Sequence, residues 1–189
     1  MPNHLEAYIN TYTGKKFYPF APQGKDIAIE DIAHSLANQC RFNGHSIVFY
    51  SVAEHSVEVS HQVKKCNALW GLLHDAAETY LSDIVRPIKR FVTFYDADSY
   101  FHLWFKTAEE AILQKIGERF GCAWPMPEAV DVADLRMLMT ERLQLFDDRQ
   151  PAWGELDGVE PYDIKIRAFT PFMAERLFLE RFEELSERV

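Results

Sequence analysis

Apolar side chains recur three and four residues apart in one segment after another of this chain, and that spacing restricts it to packed helices. Behind an acidic first turn at Glu30 the set is Ile32, Ala33, Leu36 and Ala37. Ser51 and Glu54 head a second segment with Val52, Val59 and Val63 as its buried stripe. That pair predicts a capping box, in which each side chain satisfies an orphan backbone amide. A third helix is predicted over about 67–81, with Leu69, Leu72, Leu73, Ala76, Ala77 and Tyr80 on its apolar face, and Pro87 ends the following turn. A long fourth helix is predicted from about Asp98 to Phe120, through Phe101, Trp104, Phe105, Ala108, Ile112 and Ile116, with Gly121 as its C-cap residue. A fifth runs from Pro127 to Phe146 with Val130, Ala133, Met137, Leu138, Glu141 and Leu145 in phase. Thr170 as N-cap and Pro171 at the first helical position open the last, which continues through Leu177, Phe178, Phe182 and Leu185.

No succession of strands suggests a sheet. The expectation is an all-α fold, a single compact bundle of six or seven helices in one domain, which suits a chain of 189 residues. Its core spans about 30–146. An N-terminal arm over 1–29 reads as a loop or short hairpin, with a strand-like turn at Ile27 to Ile29. Residues 40–50 break the helical pattern, 147–169 read as loop, and 147–189 together form a C-terminal loop and helix.

Composition removes several functional classes. Lys plus Arg is 20 and Asp plus Glu is 29, so the net charge is 20 − 29 = −9. A field of that sign repels polyanions and argues against a partner as long as DNA or RNA. A small phosphate ester stays compatible, because a bound cation reverses the field locally. The cysteines are Cys40, Cys66 and Cys122, an odd set without a CxxC, so neither a disulfide framework nor a zinc ribbon is expected. Residues 1–17 lack the apolar core and cleavage site of a signal peptide, and no run approaches a membrane span. The expected location is the cytoplasm, away from any membrane.

Three segments place ionisable groups where a core helix should be apolar. His55 lies three residues after Val52 and four before Val59, so it faces inward with them. His74 and Asp75 are adjacent, and Glu78 follows His74 by one helical turn. Asp134 precedes Met137 and Leu138 by three and four residues and also points inward. A buried carboxylate without a partner is very costly; pairing or metal coordination relieves it. Two imidazoles and two carboxylates from three helices form a mixed nitrogen and oxygen set, suited to a divalent ion that keeps positions open for water and substrate.

The segment Ser51-Val52-Ala53-Glu54-His55-Ser56 resembles the first ligand helix of the HD-domain metal-dependent phosphohydrolases. His74-Asp75-Ala76-Ala77-Glu78-Thr79-Tyr80-Leu81-Ser82-Asp83 resembles the central motif of that family with its downstream acid, Pro87 and Lys89 continue the match, and Ala133-Asp134 resembles its last ligand site. The resemblance spans roughly 30–145 and points to the branch of small enzymes that remove phosphate from deoxynucleotides, deoxyribonucleoside 5′-monophosphatases and dNTP triphosphohydrolases among them. It implies an HD-type bundle with His55, His74, Asp75 and Asp134 as ligands of one divalent ion (Mn, Co, Zn, Fe or Mg), a second ion being left open. Glu78 and Asp83 would orient and activate the attacking water or supply the acid. Arg41 would meet the phosphate, as an Arg near that position does in the family. His45 stands either as a phosphate donor or as a turn residue after Gly44, and Lys89 is a further phosphate candidate.

The expected function is therefore a nucleotidase-like hydrolase acting on a small deoxynucleotide, with the 5′-monophosphate favoured. The alternatives are a dNTP triphosphohydrolase and a non-catalytic nucleotide-binding module. The paired acids Glu78 and Asp83 count against the module, since a pure binder needs no proton donor. Apolar positions beyond what one small core requires, notably among 101–105 and 172–182, point to self-association as a homodimer.

Overall fold

The computed structural model describes residues 4–97, 99–147, 149–151 and 153–186, and it is mostly helical. Helix α2 (Val52–Gln62) is its axis, packed against α1 (Ile29–Asn38), α3 (Ala68–Leu73), α7 (Glu128–Leu145) and α8 (Pro171–Ser186). The three-valine stripe is only part of its buried surface. Val52 to Val57, Val59 and Ser60 are all buried, the pattern of a helix enclosed on every side.

Buried polar groups generally need hydrogen-bond partners, and those at the start of α2 find them in the structure that surrounds it. Ser51 Oγ accepts the Glu54 N–H at 3.1 Å, which is half of the expected capping box. Glu54 does not supply the other half. Its carboxylate accepts the N–H groups of Arg167, Ala168 and Phe169 at 3.2, 2.9 and 2.7 Å. Ala168 holds a left-handed φ of 54° that curls the backbone around the anion. Three aligned donors satisfy a buried carboxylate better than the single amide of a cap, so a residue read as local ties the C-terminal segment to the centre of the fold.

Gly71 lets α3 lie on α2. A Cβ at that position would stand 2.9 Å from Ser60 Cα and 3.1 Å from Val63 Cγ2. The helix expected over 67–81 stops at Leu73. His74 and Ala77 keep near-helical backbone angles, but the hydrogen bonds across 74–77 shift to the i−3 carbonyl, from Ala76 N–H to Leu73 O at 3.0 Å and from Glu78 N–H to Asp75 O at 2.9 Å. That is the tighter winding of a 3₁₀ turn. The chain then resumes as α4 (Glu78–Leu81) and continues into α5 (Arg86–Lys89), which carries Pro87 in its first turn.

The all-α expectation needs correction, because two small antiparallel sheets are present. Strands β1 (Ile9–Asn10) and β2 (Lys16–Phe17) form the hairpin anticipated in the N-terminal arm, turning through Gly14 at φ 82°. Strands β3 (Thr93–Asp96) and β4 (Phe101–Trp104) pair Tyr95 with His102 and Phe94 with Leu103. The helix expected from about 98 therefore begins only at α6 (Phe105–Phe120); Asp98 itself lies outside the described residues. Alternation explains the difference. Phe94 and Phe101 pack edge-on against Phe20, while Tyr95, His102 and Trp104 face outward, a period of two rather than 3.6. Aromatic residues also favour strands. Among the described residues, no helix is long and apolar enough to cross a membrane.

Candidate metal centre

His55 sits near the middle of α2 and is fully buried. Helix α3 delivers His74 at its C-terminal end, and the tight turn that follows delivers Asp75. From the other side, α7 brings Asp134 and, two turns later, Glu141. His55 Nε2 lies 3.1 Å from His74 Nε2, 3.1 Å from Asp134 Oδ1 and 3.5 Å from Asp75 Oδ2. His74 Nε2 lies 3.3 Å from Asp75 Oδ2 and 3.9 Å from Asp134 Oδ1. His55, His74 and Asp75 are close enough together to hold a metal ion. Asp134 adds an oxygen beside both rings, while Arg86 holds its other oxygen.

The hydrogen bonds behind the rings fix what they present. His74 Nδ1 donates to the Gly71 carbonyl at 2.9 Å, because a carbonyl only accepts. His55 Nδ1 lies 2.5 Å from Glu141 Oε1. Burial opposes ionisation of Glu141, but Arg41 and His55 outweigh it and hold its pKa below the ordinary value, so it accepts as a carboxylate. With both Nδ1 atoms committed as donors, both neutral rings turn lone pairs toward each other and toward two carboxylate oxygens. Four acceptors then converge with no donor among them, and only a proton or a metal cation can hold them together. As a free imidazole His55 takes the proton. Burial and Arg41 oppose its charge, yet Glu141 and Asp134 hold its pKa up at about 9. Against burial, the two histidines and Arg41 hold Asp75 well below the ordinary carboxylate range. Against burial too, His55 and His74 hold Asp134 below it.

Arg41 closes one wall. Its Nε and Nη2 donate to Glu141 Oε2 at 3.2 and 3.1 Å, and Nη1 approaches Asp75 Oδ2 at 3.5 Å. Phe42, Asn43 and Gly44 follow at φ 58°, 51° and 73°, a left-handed run that turns the chain away from the site. His45 ends that run exposed, and among the described residues no hydrogen bond or ion pair links its ring to the cluster. Lys89, a phosphate-binding candidate in the sequence, is paired with acids: Nζ lies 2.5 Å from Glu109 Oε1 and 3.5 Å from Glu78 Oε1. Glu78 is buried, and its Oε2 has no hydrogen-bond partner among the described residues. Burial, with the charges of Asp75 and Asp83, lifts its pKa well above the ordinary value in spite of Lys89. Asp83 is raised as well, by burial first and Asp75 next, with Arg41 and Lys89 pulling it back.

Sequence reasoning missed two members of this site. Glu141 stood in phase with the buried face of α7, and an acid at such a position was the signal that it had a partner inside. Arg86 belongs to a four-residue helix and gave no signal.

No family model matches the chain. An Escherichia coli K12 protein described as the uncharacterized protein YfdR is 40% identical over 182 residues, 96% of this chain and 97% of its own length. The chain belongs to the YfdR family. An uncharacterized protein of Rhodobacter capsulatus is 39% identical over 92 residues, 44% of this chain and 47% of its own. The YfdR match leaves only a few terminal residues outside it, so the segments carrying the cluster, from Arg41 to Glu141, all lie within the stretch shared with that family member.

Proposed function

We propose that the protein is a metal-dependent phosphohydrolase of the HD type, acting on a small deoxynucleotide with the 5′-monophosphate as favoured substrate. The observation that carries this reading is the pair of imidazole Nε2 atoms 3.1 Å apart, each with its Nδ1 committed as a donor, beside two carboxylates. That donor chemistry fits a divalent ion held by His55, His74, Asp75 and Asp134. Such an ion supplies positive charge against a phosphate ester and makes a water molecule acidic enough to attack at neutral pH.

The remaining groups have work suited to the same reaction. Arg41, beside Asp75, presents a guanidinium to a phosphate oxygen. Burial and the charges of Asp75 and Asp83 raise the Glu78 pKa, which suits its carboxyl to give a proton to the ester oxygen as the P–O bond breaks. Asp83, at the end of the same turn, can take the proton that the attacking water releases. The products are the nucleoside hydroxyl and inorganic phosphate.

The deciding experiment is a screen of metal-stripped protein against Mn²⁺, Co²⁺, Zn²⁺, Fe²⁺ and Mg²⁺, with nucleoside mono-, di- and triphosphates as substrates. Release of phosphate from a deoxynucleoside 5′-monophosphate, lost on chelation and restored by one of the ions, is expected. Release of triphosphate from a dNTP would move the protein to the triphosphohydrolase branch, and tight nucleotide binding without turnover would make it a binding module. Full turnover in metal-free buffer would overturn the reading.

A further inference from the structure

The two acids sit at opposite ends of one short turn, and a third residue holds both ends. Gln39 directly follows α1. Its Oε1 accepts the Asp83 N–H at 3.0 Å. Its Nε2 donates to the Glu78 carbonyl at 3.2 Å and to Ser35 Oγ at 2.9 Å. The orientation of the amide is forced, since only the oxygen can accept from a backbone N–H. Ser35 Oγ in turn donates to the Thr79 carbonyl at 3.4 Å. Gln39 also joins this turn to the ligand helix, because its own carbonyl accepts the Val52 N–H at 3.1 Å.

What Gln39 spans is a strained conformation. Ser82, between the two acids, holds φ 68° and ψ 154°, a region that only glycine occupies freely. Its N–H bonds back to the Glu78 carbonyl at 2.8 Å, the same oxygen that Gln39 holds. Left to itself, a serine would relax to negative φ and swing Asp83 away from Glu78. The surroundings must over-determine the turn, and Gln39 supplies a hydrogen bond on each side of the strained residue.

We infer that Gln39 is the positioning residue for Glu78 and Asp83, fixing their spacing by clamping the strained turn between them. This rests on the phosphohydrolase reading for its effect on rate, but not for its effect on the turn. Gln39→Met keeps the length of the side chain and removes all three hydrogen bonds. It should lower kcat by about tenfold to a hundredfold, the cost of misplaced reacting groups, while KM and metal content stay within about twofold. Adding Ser82→Gly to Gln39→Met should recover most of the lost kcat, because glycine adopts the turn without the clamp. Should Gln39→Met fail to fold, Ser35→Ala keeps Gln39 and removes the hydroxyl that accepts from its amide and donates to the Thr79 carbonyl, with a loss of several-fold expected.

Amide exchange at Asp83 reads the clamp without any substrate: protection should fall in Gln39→Met and in Ser35→Ala. An unchanged kcat, a parallel loss of kcat and metal, or no recovery with Ser82→Gly would overturn the assignment. If the unmodified protein hydrolyses no phosphate ester, the functional reading falls and exchange alone decides. Undiminished Asp83 protection in the variants then overturns the clamp as well.

Discussion

Glu141 is wholly buried, yet two charged groups depend on it. It fixes His55 from behind at 2.5 Å and pairs with the buried Arg41. Glu141→Gln keeps the shape, removes the charge and leaves one accepting oxygen where two served the His55 Nδ1–H and the Arg41 guanidinium, so His55 is held less firmly. Metal affinity should fall about 10- to 100-fold, the usual cost of a lost orienting partner, with the helical signal intact; titration calorimetry alongside circular dichroism checks both. Glu78 and Asp75 should part company when replaced. Asp75→Ala should lose the ion, whereas Glu78→Ala should keep it and slow single turnover by about 10²- to 10⁴-fold. Elemental analysis and single-turnover rates on the same samples separate them, and loss of metal from Glu78→Ala would place that acid among the ligands. His55 and Asp134 were visible in the sequence because each lay on an inward face, and His74 and Asp75 because an adjacent ionisable pair interrupted an apolar helix. The roles of Glu141 and Gln39 were not, because their partners lie 86 and 44 positions away and spacing along one helix cannot register them.

Among the elements, the contact between α2 and α3 sets the geometry of the centre. Gly71 makes that contact, and its carbonyl also receives the His74 Nδ1–H. Gly71→Ala places a methyl against the Ser60 backbone, which cannot step aside as a side chain would. Overpacking of this kind costs about 1–3 kcal/mol. The variant should show a lower denaturant midpoint, and it should bind metal more weakly because α3 carries His74 away from His55. Helices α7 and α8 were legible nearly to the residue: their apolar phase is long, and Thr170 and Pro171 mark the start of α8. Strand β4 was not, since four aromatic-rich residues directly before a genuine helix satisfy a helical spacing and an alternating one equally well. The Ser51–Glu54 pair misled for a different reason. A capping box and a long-range carboxylate anchor share one sequence pattern, and what distinguishes them is whether tertiary structure delivers better donors.

For the molecule as a whole, a net charge of −9 makes the convergence of Asp75, Asp134, Glu78 and Glu141 around one point expensive. Arg41, Arg86 and Lys89 offset part of that repulsion. A bound ion should offset more and stabilise the fold, by about 2.7 kcal/mol when present at a hundred times its Kd. The melting temperature of stripped protein should therefore climb with added ion. The shift should be larger at pH 8 than at pH 6. His55 holds a proton up to about pH 9, and an ion must displace it, so affinity gains about tenfold per pH unit over that window. A thermal shift independent of pH would mean that no proton is displaced. The anchoring of Glu54 by residues 167–169 has a further consequence, in the order of synthesis. The helix bearing His55 leaves the ribosome long before the segment that receives the neighbouring carboxylate and before α8, which covers its flank. Until those arrive, closing α2 into a core would bury a charge with no donors. The early part of the chain should therefore stay partly hydrated until residues 167–169 supply donors to Glu54 and α8 covers the flank of α2.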